Sequence, residues 1–209
     1  MEKYTAIITE PRIHPAWKLV LNNFLTNLDE RWNFIILCGL SNHEYLIDLV
    51  ENNFREHKER ITIYQINVVN FIVHEYSNFM LNKQIYNLIP TETFLTFQLD
   101  TLISAKYKDY IYDFMEYDYV GAPWKKQHIP NLYVGNGGLS LRKKSAILHA
   151  LDNDTYNIKY LENEDIYIFH FTLKTNPLLK KLNYLAQKQF FLKNHLVHIV
   201  VISIYQKRN

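Results

Sequence analysis

Along the first half of the chain, short unbroken apolar runs alternate with longer stretches in which apolar residues recur at helical spacing. Tyr4 to Thr9 is a β-branched apolar run closed by Glu10-Pro11-Arg12. His14 to Leu28 follows, with Trp17, Val20, Leu21, Phe24, Leu25 and Leu28 on one helical face. Trp32 to Cys38 is a second continuous run closed by Gly39, after which Asn42 is placed to cap a helix reaching about Phe54. Ile61 to Ile66 reads as a third strand, about Phe71 to Leu88 as helix, and Thr93 to Phe97 as a fourth strand ending at Gln98-Leu99-Asp100. Such βαβα alternation with continuous apolar strands predicts a parallel sheet covered by helices on both faces. Ligands of that architecture bind outside the carboxyl ends of the strands, near a switch in strand order.

Beyond Asp100 the periodicity breaks up. Asp118 to Trp124 looks like a strand running into a turn, and Pro130 keeps the next stretch irregular. Val134 to Arg142 holds three of the five glycines, Gly135, Gly137 and Gly138, and reads as a loop before a helix that starts near Lys143. Glu162-Asn163-Glu164-Asp165 precedes an apolar helical segment from Ile166 to Leu173.

At 209 residues the chain is long enough for one substantial core and short for two, and 48% hydrophobic with 21% charged residues is the balance of a folded globular protein. A formal charge of +2 and dispersed lysines argue against a nucleic-acid surface. The single Cys38 excludes an internal disulfide and a multi-thiolate zinc site. No signal-peptide core follows Met1, and the longest apolar run, Ile199 to Tyr205, is far below the ~20 residues of a membrane span, so a soluble cytoplasmic protein is expected.

Three features carry chemistry. Asp100 ends a strand where a sheet-bound ligand is met, and its carboxylate suits Mg²⁺ or Mn²⁺ on a diphosphate. A strand-end aspartate taken alone more often closes an Asx-turn. Gly135, Gly137 and Gly138 let a ligand approach the backbone, although a tight turn would use them equally well. Glu164 and Asp165 can serve catalysis or simply complement the dipole of the helix they begin. The glycines form GxGG and not the dinucleotide fingerprint GxGxxG, which disfavours a dinucleotide-dependent oxidoreductase.

Taken together, Phe97 to Ile103, Asp118 to Trp124, Val134 to Arg142 and Asn163 to Tyr167 resemble, in order and spacing, the DUF5672 family, itself similar to GT-A glycosyltransferases. Ile8-Thr9-Glu10-Pro11-Arg12 and Trp32 share the resemblance, which spans roughly Tyr4 to Thr172. It implies a GT-A α/β fold, a Rossmann-like, mixed and mostly parallel sheet with helices on both faces. It also implies transfer of a sugar from a UDP- or GDP-sugar donor to a glycan or protein acceptor hydroxyl, assisted by Mn²⁺ or Mg²⁺. Asp100 would match the second aspartate of the family's Asp-x-Asp metal motif, with Gln98 standing where the first would be. Glu10, Pro11 and Arg12 would hold base and ribose, and Gly137 and Gly138 would line the donor and acceptor side. Asp165 would be the base of an inverting transfer, with Glu164 its fallback. Residues 1–173 would form this domain and 174–209 a divergent or frameshifted tail packing on it, in which His195 and His198 are candidate metal ligands. Gln98 and the unfamiliar tail leave a second reading, a catalytically degenerate domain of the same fold that binds a nucleotide or glycan.

Overall fold

The computed structural model describes residues 2–123, 134–152 and 164. Its elements are β1 (Tyr4–Thr9), α1 (Trp17–Asn27), β2 (Trp32–Cys38), α2 (His43–Asn53), β3 (Ile61–Gln65), α3 (Val73–Met80), α4 (Lys83–Asn87), β4 (Thr93–Phe97), β5 (Tyr119–Pro123), β6 (Val134–Lys143) and α5 (Lys144–Asp152). The strands form one six-stranded sheet in the order β3-β2-β1-β4-β6-β5. β3, β2, β1 and β4 pair in parallel, and β6 runs antiparallel to both β4 and β5. The sheet is thus mixed and mostly parallel, as expected.

The unbroken apolar runs of β1 and β2 exist because both faces of the sheet are covered. Ala6, Ile8, Phe34, Ile36 and Cys38 pack under Trp17, Val20, Leu21 and Phe24 of α1 and Leu46, Leu49 and Val50 of α2. Ile7, Ile35 and Leu37 point the other way, against Ile85 and Tyr86 of α4 and Ile147 and Ala150 of α5. The period of two in a strand sends successive side chains into opposite cores, so no polar position is affordable in the middle.

Three sequence expectations are corrected. The helix read from Phe71 to Leu88 is two helices, because Asn82 turns its side chain to accept the Gln84 N–H and starts α4 afresh. The glycine segment is not a loop. It is the first half of β6, which bulges there: Gly121 pairs with Ser140 but Ala122 pairs with Asn136, leaving residues 137–139 extra on β6. Asn42 sits at the start of α2 without capping it. Its fully buried amide instead accepts the Gly39 N–H (2.8 Å) and donates to the carbonyls of Glu10 (2.8 Å) and Arg12 (2.9 Å).

That amide fastens together the loops that leave β1 and β2. Ser41 Oγ donates to the Pro11 carbonyl at 2.9 Å, and Trp17 Nε1 donates to the Arg12 carbonyl at 3.1 Å. The loop after β3 joins through the Leu40 N–H, which donates to the Val68 carbonyl at 2.8 Å. Gly39 lies where the three loops meet, and a Cβ there would stand 2.4 Å from the Val68 carbonyl oxygen and 2.6 Å from Pro11 Cβ. Gly39→Ala is therefore expected to cost about 2–3 kcal/mol by overpacking against backbone that cannot yield. A shift of the urea midpoint at unchanged slope measures it; an unshifted midpoint would contradict this account.

Below the sheet, Tyr86 is wholly buried and donates to the Met80 carbonyl at 2.6 Å. Burial pushes its phenol up to about 12, opposed by the nearby Arg142 guanidinium. The folded state thus favours the neutral ring, so this contribution is intact below the ordinary tyrosine value near 10 and is lost as the pH climbs through about 12. The expected alkaline loss is roughly 2 kcal/mol between pH 9 and 12. Tyr86→Phe should be less stable near pH 8 by about 1 kcal/mol yet decline less toward pH 11, as read by urea unfolding at the two pH values.

Candidate functional site

Parallel strands with crossover helices reverse direction of travel between β1 and β4: the chain moves outward through β2 and β3, then returns to lay β4 on the other side of β1. At the carboxyl ends of these two strands lies a cavity of about 500 Å³. Its wall from β1 is Thr9, Glu10, Pro11 and Arg12, and its wall from β4 is Gln98, Leu99 and Asp100. Because β6 is antiparallel to β4 and Leu139 pairs with Phe97, the preceding Gly137 and Gly138 overshoot the end of β4 and line the same space. Glu164 completes it beside Tyr76 and Ser77 of α3, its N–H donating to Ser77 Oγ at 3.3 Å. Glu10, Pro11, Arg12, Gln98, Asp100, Gly137, Gly138 and Glu164 are thus gathered in one place from four separated segments. Asp165, His195 and His198 lie outside the described residues, as does the tail.

The geometry after β4 bears on the turn reading of Asp100. Residues 98–101 do form a turn, but Thr101 closes it: its hydroxyl donates to the Gln98 carbonyl at 2.7 Å, and the Thr101 N–H reaches the same carbonyl at 3.1 Å. Leu99 turns into the core and Asp100 is exposed to the cavity. Asp100 makes no hydrogen bond or ion pair among the described residues, so it holds no turn together. Gln98 is half-buried beside Tyr76, whose phenol is pushed well up by burial and then by Glu164.

On the opposite wall Arg12 grips Glu10 with both ends of its guanidinium, Nε to Oε1 at 2.7 Å and Nη2 to Oε2 at 2.7 Å. The Arg12 N–H adds a third bond to Oε1 at 3.0 Å. Such a bidentate pair fixes both side chains more firmly than a single contact would. His14 also faces the cavity, and its Nδ1 accepts the Ala16 N–H at 3.1 Å, which leaves the ring proton on Nε2.

Sequence reasoning missed the α3 side of the cavity: Asn70, Phe71, Ile72, Val73, Tyr76 and Ser77. Ile72 and Val73 are more than half exposed, and an apolar pair at a helix start was the available signal. No three His, Cys, Asp or Glu side chains among the described residues are grouped to hold a metal by themselves. A divalent cation on a diphosphate needs less, since one or two protein carboxylates suffice when phosphate and water supply the other oxygens. Asp100, with a carbonyl oxygen such as that of Gln98 beside it, fits that donor set.

Solved structures with this fold are numerous, though distant in sequence. The chain is similar to S. aureus TarS, with 13% identity over 82% of this chain and 55% of that one and a TM-score of 0.54. It is similar to the mannosyltransferase PcManGT from Pyrobaculum calidifontis, solved with GDP-Man and Mn²⁺, at 12% identity over 81% and 51% of the two chains with a TM-score of 0.56. A protein described as a glucose-1-phosphate thymidylyltransferase from Bacillus anthracis, solved with a sucrose, matches at 12% identity over 83% and 84% with a TM-score of 0.53. The chain spans about half the length of the first two. These likenesses establish the GT-A-like fold of nucleotide-diphospho-sugar transferases. No curated protein matches the sequence. A family described as protein of unknown function DUF5672 matches residues 60–206, which carries the match beyond Leu173 into the segment where the sequence reading recognised nothing. With its model covering most of the chain, the protein belongs to the DUF5672 family.

Proposed function

We propose that the chain transfers a sugar from a UDP- or GDP-sugar to an acceptor hydroxyl, with assistance from Mn²⁺ or Mg²⁺. The observation that carries this reading is Asp100: an exposed carboxylate at the end of β4, in the cavity at the switch point, with no structural task among the described residues. The mannosyltransferase neighbour, solved with GDP-Man and Mn²⁺, supports the ligand class.

A cation bound at Asp100 would neutralise the charge that gathers on the departing diphosphate. Glu10, Pro11 and Arg12 hold the nucleotide end of the donor, and the bared backbone at Gly137 and Gly138 lets the sugar lie against the sheet. Of the acidic pair Glu164 and Asp165, Asp165 serves the acceptor. In an inverting transfer the acceptor oxygen bonds to the anomeric carbon as the bond to the diphosphate oxygen breaks. The acceptor proton passes to the Asp165 carboxylate, and the nucleoside diphosphate leaves with the electron pair.

A second reading, a nucleotide- or glycan-binding domain of the same fold without turnover, is favoured by Gln98, an uncharged amide where a second carboxylate would stand. Product formation separates the two. For ligand class the test is thermal stabilisation by UDP-glucose, UDP-galactose and GDP-mannose with and without Mn²⁺. A ligand at a hundred times its Kd adds about 2.7 kcal/mol. Stabilisation by none of them would overturn the transferase reading and the nucleotide-binding form of the second.

Asp100→Asn is expected to keep the melting temperature of the free protein and to abolish the Mn²⁺-dependent part of donor affinity; unchanged calorimetric affinity would contradict the assignment. Asp165→Asn should lose about 10²–10⁴ in turnover with donor affinity nearly preserved. A product of retained anomeric configuration, or near-normal turnover, would move the role away from Asp165.

A further inference from the structure

Arg142 lies on β6, opposite Phe94 of β4 and Tyr119 of β5, and is wholly removed from solvent. Its Nε donates to Ser140 Oγ at 2.8 Å, and that hydroxyl donates onward to the Gly137 carbonyl at 3.3 Å. The guanidinium carbon lies 5.3 Å from the Tyr119 ring centroid. The terminal nitrogens Nη1 and Nη2 have no hydrogen-bond partner among the described residues. Among the described residues the carboxylate within ion-pair range is Glu164, with Oε1 at 3.8 Å from Nη2. A guanidinium cannot shed its proton, so burying one requires a counter-charge nearby. Arg142 therefore reaches two walls of the cavity from behind: Gly137 through Ser140, and Glu164 through charge.

Resting on the glycosyltransferase reading, we propose that Arg142 is a positioning residue that holds Glu164 as a carboxylate in the cavity wall, where Glu164 accepts a hydrogen bond from a hydroxyl of the bound sugar. Among the described residues, the titratable and charged groups that face Glu164 include Arg142 of β6, Tyr76 of α3 and Tyr86 of α4. Both tyrosines are held neutral at ordinary pH, since burial raises both phenols. Arg142 is then the positive charge that keeps Glu164 ionised among them. A carboxylate so held offers acceptor lone pairs and no donor, which selects hydroxyl groups and rejects a second anion.

The test has two arms. In the first, Arg142→Met, Glu164→Gln and the double variant are melted at pH 7. Arg142→Met strands a buried carboxylate and should lower the melting temperature by roughly 10 °C, while adding Glu164→Gln recovers most of that loss. Arg142→Lys should fall between wild type and Arg142→Met, which keeps the test open if the methionine variant does not fold. In the second arm, affinity is measured by calorimetry for GDP-mannose or UDP-glucose, whichever stabilises wild type, and for the matching GDP or UDP. The expected result is about a tenfold loss for the nucleotide sugar in Arg142→Met, none for the nucleoside diphosphate, and partial rescue in Arg142→Lys. Additive melting losses would overturn the pairing whatever the ligand is. Coupled losses with an undiminished preference for the nucleotide sugar would overturn the positioning role. Coupled losses in a protein that binds no nucleotide sugar would leave the pairing and overturn the glycosyltransferase reading together with the hydroxyl contact.

Discussion

The cavity depends on one buried side chain, the amide of Asn42. Three backbone groups from two loops converge on it, and its loss would take this partner from the buried Gly39 N–H and the Glu10 carbonyl, while the Arg12 carbonyl would keep the Trp17 indole N–H. Without that amide, the loop Glu10-Pro11-Arg12 would lose its two bonds to the loop after β2 through the Glu10 and Arg12 carbonyls. With it, the carbonyls of Glu10 and Arg12 point inward and their side chains are left to meet each other across the cavity wall. Trp17 adds a second restraint on Arg12 from α1, so the helix that buries the sheet also fixes the loop that walls the cavity. Stability and site are joined at these residues.

The antiparallel strand supplies what parallel strands cannot. Every parallel strand in the sheet delivers its loop to the cavity end by leaving the sheet there. β6 arrives from that end, so it contributes extended backbone at the level where β4 has already stopped. Backbone without side chains is a surface that a sugar can lie against, and glycine is the residue that provides it. The bulge opposite Gly121 and Ala122 is the local consequence, because β5 has no residues to pair with 137–139.

The strands were legible in the sequence because each buries both faces: Tyr4–Thr9, Trp32–Cys38 and Thr93–Phe97 have the bounds that their apolar runs predict. The helix after β3 was misread because apolar spacing alone does not register a polar residue that prefers to cap, and Asn82 interrupts the period without breaking it. The glycine strand was hidden for the opposite reason, since glycine has no β preference to read and only pairing with β4 and β5 makes it a strand. Of the site, the residues that end strands were legible, because position along a strand fixes position in the fold. Tyr76 and Ser77 were not. They sit on a short amphipathic helix whose relation to β4 is set by the crossover, and one more tyrosine among 16 carries no signal. Asn42 was noticed for the wrong bond: the residue type called for a polar partner, and only tertiary structure says which.

Charge in the cavity now has an internal logic. Glu10 is matched by Arg12 through two short bonds, and Glu164 by Arg142 behind it. Asp100 has no such cation among the described residues. Two of the three described acidic side chains in the cavity thus carry their counter-charge with them, and the exposed third does not. A nucleoside diphosphate brought to this wall would add further negative charge beside Asp100, and at a few ångströms in a partly desolvated cleft that repulsion amounts to several kcal/mol. On the proposed reading, positive charge that arrives with the diphosphate offsets this repulsion. A divalent cation satisfies Asp100 and the phosphates at once, and its binding is then inseparable from that of the ligand. On the proposed reading this explains how a single carboxylate can suffice: the cation site is completed by the donor, so the protein has no need of a closed cage of its own.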